Sequence, residues 1–268
     1  MRKNEVFPYY RQCCKNLEQA YEYMKSLFSD SYVDELCQLR GYVGKEQREL
    51  IKSMQLGCCD VEDVEVLGEF RRELGLVSDK DNFIMPGRYI IPVEDLVGNI
   101  VALIGYYPDY KKYITTPSPF FSKECQFFNY KQAYELSWKE FGGFVILVEG
   151  IFDCLSLRSL GLPAIATMGA SVTKTKGLLL RNFKKVLCIP DDDATGRRAL
   201  NRYAPSGWKV PSNATFLRFH GGLYEMSNGE SLHCKDMDNF VSWYEADDVR
   251  EILLSFRDSN EDIEDLYL

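Results

Sequence analysis

Histidine is nearly absent: His220 and His233 are the only two in 268 residues. A histidine base or a histidine-rich metal centre therefore has little to draw on. No apolar run approaches the roughly 20 residues that a membrane-spanning helix requires. The opening MRKNEVFPYY has no apolar signal core. These absences argue against a membrane or secretory role and lead us to expect a cytoplasmic protein. Cys-x-x-Cys spacing is missing as well. Cysteines stand at 13, 14, 37, 58, 59, 125, 154, 188 and 234. An odd number without a secretory signal points to reduced thiols. The adjacent pairs 13–14 and 58–59 suit tetrahedral zinc poorly, because neighbouring residues cannot readily ligate one ion. No zinc is expected, and the thiols are assigned to apolar packing.

Negative charge is in excess, at −8, but it is unevenly spread. Residues 1–80 carry 12 basic and 15 acidic groups, residues 81–210 carry 16 and 12, and residues 211–268 carry 4 and 13. Five acids of the middle segment are Glu149, Asp153 and Asp191 to Asp193. If these hold cations, the rest of that segment is +9. A locally basic middle suits a polyanionic partner, whatever the total charge. The acidic end, EDIEDLYL, reads as a solvated helix end or a frayed terminus.

Helical spacing runs through residues 10–75, with Ser31 and Gly41 bounding one helix. A second, at about 45–56, stops at Gly57, and a third covers about 61–74. After Pro86-Gly87 the period changes. RYIIPV and IVALIGYY read as strands joined by a turn at Gly98–Asn99, and KKYITT as a third short strand. An aromatic loop, PSPFFSKECQFFNY, leads to a helix at about 131–140. From Gly143 short apolar strands alternate with helices: FVILV, AIATMGA, KKVLCI and ATFLRF are the strands. Helices follow at FDCLSLRSL, 172–182 and ATGRRALNRY, with one or two more in MDNFVSWYEADDVREILLSF. Such alternation predicts an α/β fold, a parallel sheet flanked by helices. A mixed α+β subdomain with a helical N-terminus precedes it. The expected divisions are a helical region 1–80, the mixed subdomain 81–143, the α/β domain 144–245, and a C-terminal helix with acidic tail 246–268.

Carboxylates stand at the exits of these strands. Glu149 follows FVILV, Asp191 and Asp193 follow KVLCI, and Asp236 and Asp238 follow the fourth strand in KDMDNF. Ligands of open parallel sheets bind beyond the carboxyl ends of strands. In extended backbone, residues 191 and 193 point one way and 192 the other. Adjacent ionised carboxylates repel, and a cation relieves that repulsion. Oxygen ligands without histidine or thiol suit magnesium or manganese. The plainer reading of any one aspartate is a helix cap; Asp193, for instance, stands where it would cap the next helix.

These residues resemble the TOPRIM domain, the module shared by topoisomerases, bacterial primases and some nucleases. In that family one strand ends in Glu-Gly and a later one in Asp-x-Asp, followed by a small residue and Gly. Here the motifs are VEG at 148–150 and DDDATG at 191–196, with Asp192 where the family often has glycine. VEGIFDCLSLRSLGLPAIATMGAS further resembles the bacterial replicative, DnaG-type primase. Asp153, Gly169, Gly196 and Arg197 fall on positions of that pattern, and Asp236 and Asp238 on its second acidic pair. GRYIIPVEDLVGNIVALIG and KKYITTPSPFFSKECQFFNYKQA are similar to the primase segment that precedes TOPRIM. Arg88, Lys112 and Lys123 there fall on basic positions of the template and nucleotide surface. The resemblance covers about residues 30–250, without the zinc ribbon and helicase-docking domain of such primases.

The resemblance implies a core that makes short RNA primers on single-stranded DNA from ribonucleoside triphosphates, of phage, plasmid or mobile-element type. Two Mg²⁺ or Mn²⁺ ions would be held by Glu149, Asp191, Asp193, Asp236 and Asp238. Catalysis would rest on Glu149, Asp191 and Asp193. Arg88, Lys112, Lys123, Asp153, Gly169 and Arg197 would hold nucleotide or template. A replicative helicase or a separate zinc-domain protein would serve initiation. Two alternatives stay open: a metal-dependent TOPRIM nuclease, and a non-catalytic nucleic-acid-binding replication factor. Tyr106, Tyr107 and Tyr113 offer stacking surfaces, although aromatic strand residues more often fill a core.

Overall fold

The computed structural model describes residues 3–40, 45–59, 72, 88–108, 112–116, 118–200, 207–220, 223–225, 231–234 and 236–267. The helix expected over 61–74 lies outside them, Arg72 apart. The chain divides into two compact units, Met1–Phe121 and Ser122–Leu268.

The first unit contains α1 (Lys3–Ser26), α2 (Asp30–Arg40) and α3 (Lys45–Ser53). Its sheet has the order β1-β2-β3-β4, formed by β1 (Gly57–Cys59), β2 (Arg88–Glu94), β3 (Ile100–Tyr107) and β4 (Lys112–Thr115). Every pairing in it is antiparallel. The turn expected between β2 and β3 is present: Gly98, with φ of 92°, donates its N–H to the Asp95 carbonyl. Gly57 begins a strand and does not merely end a helix. A Cβ there would stand 3.0 Å from the Met24 carbonyl carbon, so the strand passes close against the backbone of α1. Cys58 and Cys59 are buried, and Cys59 packs with Leu17, Ala20, Tyr21 and Met24 of α1. The Cys-Cys pair is thus an apolar strand. Tyr106 is buried against Tyr113, ring centroids 4.9 Å apart, as a core role requires.

The second unit is built on a five-stranded sheet of order β11-β8-β7-β5-β6. Its strands are β5 (Phe144–Val148), β6 (Ala164–Ala166), β7 (Lys185–Ile189), β8 (Ala214–His220) and β11 (Ile263–Tyr267), all paired in parallel. A two-stranded ribbon, β9 (Leu223–Glu225) with β10 (Ser231–His233), had no counterpart in the sequence reading. The helices are α4 (Tyr130–Glu140), α5 (Ile151–Ser159), α6 (Lys174–Leu180), α7 (Ala194–Ala199), α8 (Met237–Trp243) and α9 (Ala246–Ser255). Every residue of β5 is buried, as in a central parallel strand covered by helices. Val145, Leu147, Val186, Cys188 and Phe216 form one core with Leu180, Phe183, Ala199 and Trp208.

The acidic end departs from expectation. Ile263–Tyr267 is neither a helix end nor a fray but β11, with Ile263 opposite Phe216 and Tyr267 opposite His220. The backbone groups of β8 would otherwise form an open edge, and the tail covers them. Its acids have partners: Asp265 meets Arg218 at 3.4 Å, and Glu264 accepts from Ser259 Oγ at 2.5 Å.

Candidate active site

Strand order reverses at β5, with β6 on one side and β7 on the other. The switch point of the sheet therefore lies between β5 and β7, where open parallel sheets bind ligands beyond their carboxyl ends. Val148 pairs with Ile189, so the chains emerge side by side as Glu149 and as Pro190-Asp191.

Glu149 is partly buried, and its Oε1 has no hydrogen-bond partner among the described residues. Burial pushes its carboxyl up to about 7; the Asp191 backbone N–H opposes this, and the charges of Asp193 and Asp153 add to it. Asp193 caps α7, its Oδ1 accepting from the N–H groups of Thr195 at 2.7 Å and Gly196 at 2.8 Å. Asp193 is exposed, and its Oδ2 has no partner among the described residues. Asp192 is turned to other work: its Oδ1 accepts from Arg197 Nη1 at 3.1 Å. A Cβ on Gly196 would collide with the Asp191 carbonyl oxygen. Only glycine lets the first turn of α7 lie against the loop that carries Asp191.

A second tier of carboxylates lies behind this rim. Asp153 Oδ2 accepts from the Gly150 N–H at 3.1 Å, and its Oδ1 from the Asp238 N–H at 2.9 Å. Asp238 Oδ1 in turn accepts from Ser156 Oγ at 2.6 Å. Exposure is only 6% for Asp153 and 2% for Asp238. Burial raises the Asp153 carboxyl well above the usual range, helped by the charges of Asp236, Asp191 and Asp238. Asp153, expected among the nucleotide- or template-binding residues, lies in this second tier. Both of its oxygens are spent on backbone N–H groups, and it fastens α5 to α8. Asp238 has one oxygen committed in the same brace. Asp236 caps α8, accepting from the Asn239 N–H at 2.9 Å, and is half-buried.

The structure thus brings Glu149, Asp153, Asp191, Asp193, Asp236 and Asp238 to one edge. Among the described residues no three His, Cys, Asp or Glu side chains already close round a single point. The donor set still fits a hard divalent cation. It is all oxygen, it includes the buried, unpartnered Glu149 Oε1, and its charges raise one another's affinity for protons. Glu149, Asp191, Asp193 and Asp236 are the residues that would hold such an ion.

The remaining expected residues divide between the units. Arg88 opens β2 and Lys112 opens β4 in the first. Lys123 and Gly169 are exposed in the second, as is Arg197. A Cβ on Gly169 would meet nothing within 4 Å. A cavity of about 490 Å³ at the amino edge of the sheet, lined by Lys184, Lys185, Thr215, Arg257 and Glu261 among others, shares no residue with the carboxylate edge. Sequence reasoning missed Ser156 and Thr167. Ser156 stands three residues after Asp153, one helical turn along the same face, which was the only signal available for it.

A Toprim-like family model matches residues 146–218. A DNA primase from Aquifex aeolicus is 30% identical over 213 residues, covering 75% of this chain and 40% of that protein. A DNA primase from Thermotoga maritima is 38% identical over 119 residues, covering 42% of this chain and 20% of that one. The chain therefore spans 40% or less of the length of these relatives. The crystal structure of the Aquifex aeolicus primase, with its zinc-binding and RNA polymerase domains, matches with a TM-score of 0.67 at 25% identity, over 91% of this chain and 60% of that one. A DnaG primase catalytic domain bound to single-stranded DNA matches with a TM-score of 0.63 at 18% identity, over 92% and 80%. Within the second unit, residues 146–218 are similar to the Toprim-like family. The chain as a whole has the fold of the DnaG-type primase catalytic core, with its TOPRIM sheet and an antiparallel sheet before it.

Proposed function

We propose that this chain is a primase-like RNA polymerase core, joining ribonucleotides on single-stranded DNA by metal-assisted nucleotidyl transfer. The observation that carries the reading is the buried, unpartnered Glu149 oxygen at the sheet's switch point, beside the Asp191–Asp193 loop. A divalent cation bound there supplies charge neutralisation at a triphosphate and lowers the pKa of a coordinated hydroxyl. Glu149 faces the attacking 3′-hydroxyl. Asp191, Asp193 and Asp236 would hold the cation that neutralises the triphosphate. Asp153, Asp238 and Ser156 keep α5 and α8 in place behind them. The Arg197 guanidinium is exposed and spends one donor on Asp192, which leaves it positioned for phosphate. Lys123, Lys112 and Arg88 are assigned to phosphates of template or nucleotide. Most of the rate enhancement then comes from positioning and charge stabilisation. A replicative helicase or a zinc-domain protein is the proposed initiation partner.

The test mixes purified chain with single-stranded DNA, ribonucleotides and Mg²⁺ or Mn²⁺. Short RNA products that vanish in Glu149→Gln and Asp191→Asn support the reading. Cleaved template without synthesis would assign a TOPRIM nuclease instead. DNA binding that ignores chelators, with neither product, would assign a binding factor.

A further inference from the structure

Lys176 lies in the first turn of α6 and is 1% exposed. A buried ammonium is costly unless a carboxylate pairs with it. Here its described partners are the Thr167 carbonyl, to which Nζ donates at 2.6 Å, and the Phe127 ring, whose centroid is 5.3 Å away. Burial pushes the ammonium down to about 8. Glu124 and Cys125 favour the charge and Lys123 opposes it, all from the loop packed over α6. A neutral donor would satisfy a carbonyl at lower cost. The placement of the ammonium has to account for the difference.

Thr167 sits at the exit of β6, 1% exposed, and all its polar groups are in use. Its N–H donates to the Val148 carbonyl at 3.0 Å. Its hydroxyl lies 3.2 Å from the Glu149 carbonyl oxygen and is also within hydrogen-bond reach of the Gly169 carbonyl. The next residue, Met168, has φ of 58°, which turns the chain sharply out of the strand. Past it, Gly169, Ala170 and Ser171 are exposed on a fixed base. The Ala170 carbonyl accepts from Trp208 Nε1 at 3.2 Å, and the Val172 carbonyl from the Lys209 N–H at 3.0 Å. Thr173, which caps α6, also donates to the Glu124 carbonyl at 2.6 Å. The start of α6 therefore ties together the Glu149 backbone, the Gly169 rim and the loop bearing Lys123.

We propose that Lys176 is a positioning residue for the carboxylate edge: through the Thr167 carbonyl it fixes the backbone of Glu149 and the exposed rim at Gly169–Ser171. The catalytic part of this inference rests on the primase-like reading, but the positioning part does not. The test uses the full chain carrying Lys176→Met, which keeps an unbranched apolar stem and removes the donor and the charge. Hydrogen exchange is followed in peptides covering 147–151 and 165–171, with 185–189 as the internal reference. Exchange in the first two is expected to quicken about tenfold, with the reference unchanged and the melting temperature not lowered. In the primer assay kcat is expected to fall about tenfold with KM for ribonucleotide little changed.

Wild-type exchange in both peptides would overturn the inference, whether or not the chain makes primers. Faster exchange without any primer synthesis in the wild type would uphold the brace and sink the primase-like reading instead. Faster exchange with wild-type kcat would overturn the catalytic part alone. If Lys176→Met fails to fold, Lys176→Gln is read by the same exchange measurement. Its shorter, neutral donor is expected to give an intermediate rate, and a wild-type rate would overturn the role of the ammonium.

Discussion

Glu149 is a carboxylate whose folded environment favours the proton. Its carboxyl is raised from 4.5 to about 7, so between those values the folded chain binds more protons than the unfolded one. Stability therefore falls as pH rises through that window, by about 3 kcal/mol at most. Without divalent ions, wild type should lose stability from pH 4.5 to 7 relative to Glu149→Gln in chemical denaturation. Mn²⁺ should restore wild type above pH 7 and stabilise the variant less. Two glycines separate geometry from function in the same way. Gly196→Ala should cost about 1–3 kcal/mol, since its methyl group must displace the Asp191 carbonyl. Gly169→Ala should leave denaturation midpoints unchanged, because a Cβ there meets open space. Loss of primer synthesis in the latter would show that a ligand approaches the Gly169 backbone. The rim acids were legible in the sequence because they follow apolar strands directly. Lys176 was not, since a lysine in the first turn of a short helix ordinarily faces water.

At the scale of elements, α5 and α8 are joined by hydrogen bonds among Asp153, Asp238 and Ser156. Ser156→Ala removes the donor to a buried carboxylate oxygen and should cost about 1–3 kcal/mol, measured by urea denaturation. The alternation of strands and helices after Gly143 gave the parallel sheet, because wholly apolar five-residue strands have few other homes. Two elements escaped that logic. Gly57–Cys59 is short and follows a helix directly, so its strand character depends on β2 as a partner. Ile263–Tyr267 has two acids among its five residues, and only the unpaired edge of β8 makes a strand of it. In both, tertiary pairing overrides local composition.

For the molecule as a whole, a net charge of −8 sits uneasily with a nucleic-acid partner until its distribution is considered. Residues 211–268 carry 13 acidic groups against 4 basic ones, whereas residues 81–210 carry 16 basic against 12 acidic. Binding of single-stranded DNA should weaken as salt rises, with a log–log slope of about −0.7 per phosphate contacted. Lys123→Ala should make that slope shallower by about 0.7 if Lys123 holds one phosphate, measured by fluorescence anisotropy across a salt series. An unchanged slope would remove Lys123 from the template surface.

The pairing of β5 with β7 has a kinetic consequence. Phe144 aligns with Lys185, so the two strands meet only after the chain has travelled out through β6 and returned. Contacts of such long sequence separation form late, once loop closure has been overcome. Until then Glu149 and the Asp191–Asp193 loop are dispersed, solvated charges that repel little. Folding and the assembly of the carboxylate edge thus arise in one event. Divalent ions should act on the unfolding rate, holding the finished pair together, and leave the early steps of collapse untouched.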